Sequence, residues 1–159
     1  MVREDSDCRL DRLYRQPFQE AGRHITPEMA AKICEAVDHY PSYVQQLASV
    51  ALNHVEQGQT VTMDVLTESV ADVIRANEAL FMQQIEPLTV YQMNLMRAIV
   101  SGIHDGFNEK AVRSQFDLGS PSNIVRLRDA LIEKDLVYSE MKKLYVTDPM
   151  LSLWFKKRF

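Results

Sequence analysis

The stretch SPSNIVRLRDALIEKDLVYSEMKKLYVTDPMLSLWF, residues 120–155, decides the fold. Ser120-Pro121 opens a helix, because a proline in the first turn gives up an amide that has no helical partner there. Ile124, Leu127, Ala130 and Leu131 then recur at three- and four-residue steps, so one face points inward until the helix ends near Lys134. Leu136 to Ser139 and Leu144 to Thr147 are short runs suited to strands, and Glu140-Met141-Lys142-Lys143 joins them, which predicts a hairpin. Asp148-Pro149 caps a last helix that buries Leu151, Trp154 and Phe155.

Upstream, Leu88-Thr89-Val90-Tyr91-Gln92-Met93 carries a capping box. Thr89 reaches the N3 amide, Gln92 returns to the N-cap, and Leu88 and Met93 sit in staple positions. That helix runs through Leu95, Met96, Ile99 and Val100 to Gly102. A loop with Asp105-Gly106 leads to a short helix from Asn108 to about Phe116, and Leu118-Gly119 turns into the helix at Pro121. Three helices, the last two joined by a tight turn and followed by a hairpin, make a winged helix-turn-helix over residues 88–159.

Residues 1–87 show no period of two and read as a bundle of about four helices. Leu10, Leu13, Tyr14 and Phe18 suggest a first helix that Pro17 interrupts or restarts. Thr26-Pro27-Glu28 begins a second, with an Ala30, Ile33, Cys34, Val37 stripe. Pro41 opens a third that buries Val44, Leu47, Ala48, Ala51, Leu52 and Val55, and Gly58 is placed to end it. Thr62 caps a fourth that carries Val65, Leu66, Val70, Val73, Ile74, Phe81 and Ile85 as far as Pro87. The fold class is therefore mainly α: a four-helix, lid-like bundle, then a winged helix with a small β-hairpin.

Composition is that of an ordinary globular chain, 159 residues with 46% apolar and 25% charged. The net charge of −4 is unevenly spread: residues 1–87 carry 7 basic and 14 acidic side chains, residues 88–159 carry 11 and 8. Opposite signs suggest two modules with different partners. Cys8 and Cys34 lack metal-ligand spacing, no apolar run is long enough to span a membrane, and MVREDSDCRL has no signal-like apolar core. These features favour a cytoplasmic protein without a membrane partner.

Taken together, ITPEMAAKICEAVDHYPSYVQQLASVALNHV, FMQQIEPLTVYQMNLMRAIVSG and the stretch from Ser120 to Phe155 resemble the carboxyl-terminal part of archaeal and bacterial ATPases of the AAA+/STAND type. In that family a P-loop core is followed by a helical lid and a winged helix ending in an Asp-Pro plus Trp pattern, which Asp148, Pro149 and Trp154 match. The resemblance implies that His39, Tyr40 and Pro41 sense bound nucleotide, with His39 and Pro41 facing base or ribose. A helix start with free amides and aromatic neighbours suits that role; equally, Pro41 simply begins a helix while Tyr40 and Tyr43 pack on the bundle.

The family's G-x-x-x-x-G-K followed by Ser or Thr is missing, as is an apolar strand ending in paired acids, and five glycines leave no room for a glycine-rich phosphate loop. Phosphoryl transfer needs backbone amides, a lysine and a held magnesium ion around the phosphates. The expectation is a non-catalytic chain, with ATP and magnesium bound only in the presence of a complete ATPase core.

On the recognition helix Ser122, Asn123 and Arg126 face outward, with Lys142 and Lys143 on the wing, a set suited to base edges and phosphates of double-stranded DNA. Asp129 and Glu133 lie on or near the same surface and oppose phosphate, so a protein partner or the ATPase core is an equal expectation. The alternative is a free-standing DNA-binding regulator whose helical amino-terminal part dimerises; self-association stays open in either case. His24, His39, His54 and His104 lack the spacing of a metal site, and no serine has a nucleophile's setting. Met82, Met93, Met96, Met141 and Met150 are read as core filler.

Overall fold

The computed structural model describes residues 15–159. Residues 15–20, with Pro17 among them, are helical (α1), and the start of the helix expected from Leu10 lies outside the described residues, as does Cys8. The remaining elements are α2 (Pro27–Ala36), α3 (Pro41–His54), α4 (Met63–Ile85), α5 (Val90–Val100), α6 (Lys110–Phe116), α7 (Pro121–Glu133), β1 (Val137–Glu140), β2 (Lys143–Val146) and α8 (Pro149–Arg158). The chain is mainly helical, with one two-stranded antiparallel hairpin. It forms two compact units that divide between Asn77 and Glu78, inside α4, rather than at Pro87, where the change of sequence pattern suggests a boundary.

In the N-terminal unit the capping signals act as written. Thr26 Oγ1 accepts the Met29 amide at 3.2 Å and Thr62 Oγ1 accepts that of Val65 at 3.3 Å. Phe18, Ile33, Val37, Val44, Leu47, Ala51 and Val73 form the core, each fully or almost fully withdrawn from water, and each of these side chains larger than alanine contributes about 1.5–3 kcal/mol. On the inner side of α4 a serine stands among the apolar residues. Ser69 is buried and returns its hydroxyl to the Val65 carbonyl at 2.6 Å.

Gly58 does not terminate α3, which ends at His54 with Val55 as an extended cap. Its left-handed backbone, φ +81°, turns the chain back toward Gly22, whose carbonyl accepts the Gly58 amide at 2.8 Å. That turn sets up a single parallel bridge between His24 and Thr60.

His54, at the end of α3, is tied to α4. Its Nε2 lies 2.7 Å from Asp72, which also accepts from Arg75 at 2.8 Å, while Glu68 stands 3.9 Å from Nδ1. The hydrogen bond from His54 holds the Asp72 carboxyl below its usual value, opposed by desolvation and helped by the charge of Arg75.

The C-terminal unit is a winged helix. Thr89 and Gln92 form the reciprocal capping box, at 3.3 and 3.0 Å. α5 is the hub: it packs against α6, α7, α8 and β2, placing Leu95, Met96, Ala98 and Ile99 at the centre. Asp148 accepts the amides of Met150 and Leu151 at 2.8 and 3.1 Å and so starts α8, whose Leu151, Trp154 and Phe155 are buried. The Trp154 indole donates to Glu78 at 3.3 Å, and Arg158 reaches the same carboxylate at 2.8 Å while lying over the Trp154 ring.

The hairpin is tighter than a four-residue loop. Glu140 pairs with Lys143, Ser139 with Leu144, Tyr138 with Tyr145 and Val137 with Val146, which leaves only Met141-Lys142 as the turn. Both have positive φ, 49° and 64°, the geometry that matches the twist of the strands but suits Asn-Gly rather than side chains with a bulky Cβ substituent. Nor is Met141 core filler. Met96 and Met150 are fully buried, but Met82 is exposed at 39% and Met141 at 92%, so neither of these two fills a core.

Two outcomes follow from this packing. Replacing Met141-Lys142 by Asn-Gly removes two left-handed side chains and is expected to raise stability by about 1–2 kcal/mol in urea unfolding; an unchanged or lower midpoint contradicts the turn assignment. Because the folded Asp72 carboxyl titrates below its unfolded value, the His54–Asp72–Arg75 contact stabilises fully above about pH 3.9 and is lost as pH falls through the lower folded value. Asp72→Asn should lower the urea midpoint at neutral pH and flatten its decline between pH 5 and about pH 2. An acid decline as steep as in the unsubstituted chain refutes this.

Candidate functional site

The turn between α6 and α7 is held from three sides. Asn94, a buried side chain in the middle of α5, donates from Nδ2 to the Asp117 carbonyl at 3.0 Å. Asn123, in the first turn of α7, donates to the Leu118 carbonyl at 3.2 Å, and Arg113 of α6 donates to the Gly119 carbonyl at 3.2 Å and to that of Asn108 at 3.1 Å. Three consecutive carbonyls, 117 to 119, thus each accept one side-chain bond, although only Leu118 of the three residues is buried. Asp117 ends α6 in the left-handed region. Gly119 follows at φ +78°, where a Cβ would stand 3.1 Å from the Asn123 amide nitrogen and 3.4 Å from the Tyr91 ring.

Above this turn lies an open cleft of about 290 Å³ lined by Tyr91, Gly119, Ser120, Ser122, Asn123 and Arg126. Pro41 of α3 and Pro121 of α7 open their helices alike, but Ser120 does not cap α7 with its side chain. Its hydroxyl pairs with that of Ser122 at 3.1 Å. Arg126 is exposed and makes no ion pair among the described residues. Hydroxyls, an amide and a guanidinium can orient a polar or anionic group, but the lining holds no base that could activate a serine.

Ser122, Asn123 and Arg126, three of the residues expected to meet a partner, are therefore gathered in one cleft. Asn123 does so with its amide nitrogen already committed to the turn. Lys142 and Lys143 stand apart, at the wing tip and at the start of β2 opposite Glu140. The outer face of α7 is mixed: Ser122, Val125, Arg126, Asp129, Ile132 and Glu133 recur at three- and four-residue steps and are all exposed.

On the wing, His104 extends the hairpin. Its carbonyl accepts the Leu144 amide at 2.8 Å, and its Nδ1 lies 2.8 Å from the Leu144 carbonyl, so that nitrogen carries the hydrogen. Its ring stacks on Tyr145 at 4.5 Å, and Tyr145 stacks on Tyr138 at 5.5 Å.

His39, Tyr40 and Pro41 lie in the N-terminal unit at the α2–α3 turn, and all three are exposed. Asp38 and His39 both take positive φ, 49° and 57°, and the His39 amide closes on the Cys34 carbonyl at 2.8 Å. Tyr40 is the N-cap of α3 without a side-chain capping bond, and its ring lies 5.5 Å from that of the buried Tyr43. Among the described residues no group of three or more His, Cys, Asp or Glu side chains is arranged to hold a metal ion, and no helix is long and apolar enough to cross a membrane.

Four further residues belong to this site: Asn94 and Arg113, and also Tyr91 and Gly119, which the sequence marks only as part of the capping-box stretch and as a turn. For Asn94 a signal existed: Tyr91, Asn94, Leu95 and Ala98 fall at helical steps, so a polar residue stands on the buried side of an apolar stripe.

Residues 79–157 match a family model described as a probable winged helix domain. No curated protein matches the chain. Among solved structures, the Walker-type ATPase paby2304 of Pyrococcus abyssi is similar, with a TM-score of 0.71 and 13% identity over 92% of this chain and 41% of that one. At this identity the likeness is one of fold, and the chain spans about two fifths of the length of that ATPase.

Asn94→Ala leaves the Asp117 carbonyl without its partner and is expected to cost about 1–3 kcal/mol in urea unfolding of the full chain. A loss of a few tenths of that or less would mean that the turn is held by other contacts.

Proposed function

We propose that this chain is the non-catalytic lid and winged-helix portion of an AAA+/STAND-type ATPase, and that it passes nucleotide state to a partner through the winged unit. The supporting observation is the fold similarity to a Walker-type ATPase over 92% of this chain. The sequence has no lysine-bearing phosphate loop, so ATP and magnesium are contributed by a nucleotide core. In this reading His39, Tyr40 and Pro41 meet the nucleotide at the start of α3, where two left-handed residues, Asp38 and His39, lead into the helix and all three side chains are exposed.

The partner of the winged unit is a protein surface, with the cleft of Tyr91, Ser122, Asn123 and Arg126 as its contact. Asp129 and Glu133 on the same helix face repel phosphates, and Val125 and Ile132 offer apolar area that a DNA backbone does not use.

The chain alone is expected to hydrolyse ATP at the background rate with magnesium present. Its affinity for a mixed-sequence duplex is expected to be weak and little changed by Lys142→Ala with Lys143→Ala. Magnesium-dependent turnover well above background overturns the non-catalytic assignment. Tight, steeply salt-dependent DNA binding that the double substitution abolishes would favour the free-standing regulator instead.

A further inference from the structure

The described methionines differ widely in their access to water. Met96 and Met150 are fully buried, Met29 and Met93 are half-buried, and Met63 and Met82 are 48% and 39% exposed, whereas Met141 is 92% exposed. The sulfur of Met63 is also engaged, since it accepts from the Lys32 ammonium at 3.5 Å. Met82 lies within the continuous helix α4, where a long side chain leans back over the preceding turn. The Met141 sulfur accepts no hydrogen bond among the described residues.

Its place in the wing explains the exposure. Glu140 pairs with Lys143, so Met141 and Lys142 alone form the turn, both in left-handed backbone, and no sheet neighbour stands beside them. The apolar support of the hairpin lies elsewhere, at the buried Val137 and Leu144. A change of polarity at Met141 therefore leaves the packing untouched. At Met96 or Met150 the same change would put a polar group into the core.

We propose that Met141 is a reversible oxidation switch on the wing surface, converted to the sulfoxide by hydrogen peroxide ahead of the other described methionines. The thioether sulfur attacks one peroxide oxygen, and an S–O bond forms as the O–O bond breaks. Sulfur gives up two electrons, and the second oxygen takes the remaining proton and leaves as water. A methionine sulfoxide reductase reverses the step, with two thiols oxidised to a disulfide and the oxygen released as water. Oxidation turns an apolar tip beside two lysines into a dipolar one, which alters what the wing offers a partner and not the fold that carries it. The inference stands apart from the ATPase reading, since it uses neither nucleotide nor the cleft.

Dilute hydrogen peroxide on the full chain, followed by site-resolved mass spectrometry, tests it. Met141 should gain one oxygen while Met63 and Met82 are largely unchanged and Met96 and Met150 gain none. The chain oxidised at Met141 should elute earlier from a hydrophobic-interaction column, keep its urea midpoint, and regain its mass and retention with methionine sulfoxide reductase and dithiothreitol. Met141→Leu should hold its retention under the same peroxide, and Met141→Gln should elute early without it. Oxygen reaching Met63 or Met82 as fast as Met141, an oxidised chain with unchanged retention, a sulfoxide that the reductase leaves in place, or a fall in the urea midpoint on oxidation of Met141 overturns the proposal.

Discussion

Everything the winged unit presents to the outside depends on one short piece of backbone, the carbonyls of Asp117, Leu118 and Gly119. They lie in the short link between α6 and α7, where Leu118 is buried and Gly119 half-buried, and a carbonyl partly withdrawn from water is stabilised by a protein donor. Asn94, Asn123 and Arg113 supply one donor each, from three different helices. The angle between α6 and α7 is thereby set by side chains whose own positions are fixed by the core around α5. The cleft is a by-product of that arrangement, since the left-handed Gly119 leaves the Asn123 side-chain nitrogen room to reach back into the turn.

The wing is set by a related device. His104, forty residues before Leu144, bonds both polar groups of that residue and lays its ring on Tyr145. A hairpin of four-residue strands is marginal alone. Here it gains a third backbone partner on one edge and the buried Val137 and Leu144 beneath, which lets the tip carry a turn sequence that an isolated hairpin would avoid. At the other end Glu78, Trp154 and Arg158 close α8 onto the last part of α4. Those residues of α4 thus belong to the winged unit even though the helix begins in the other one.

Most helix boundaries were legible because their signals are local: Thr26, Thr62, Thr89 with Gln92, and Asp148 act within three residues of themselves. The apolar stripes of α3, α5 and α7 gave the core for the same reason. What escaped is bonding across distance. Asn94 reaches a carbonyl 23 residues away and His104 one 40 residues away; the apolar stripe around Asn94 marks it as a buried polar residue but does not name its partner, and nothing beside His104 announces its bond. Gly58 looked like a helix cap and instead turns the chain toward Gly22, again a long-range partner. The hairpin was found but its turn was read two residues too long, because Lys143 is a poor strand former that the cross-strand pairing with Glu140 overrides. In the cleft, Ser122, Asn123 and Arg126 were visible as outward positions of one helix, whereas Tyr91 joins them only through the packing of α5 on α7.

The central claim is that the pinned turn makes α5, α7 and the wing a single cooperative scaffold. Native-state hydrogen exchange of the full chain measures this directly. The amides of α5, the Leu118 amide, those of α7 beyond its first turn and the Leu144 amide should exchange with one common opening free energy that responds to urea with one slope. Opening of α7 or β2 at a lower free energy than α5, with little dependence on urea, would contradict it.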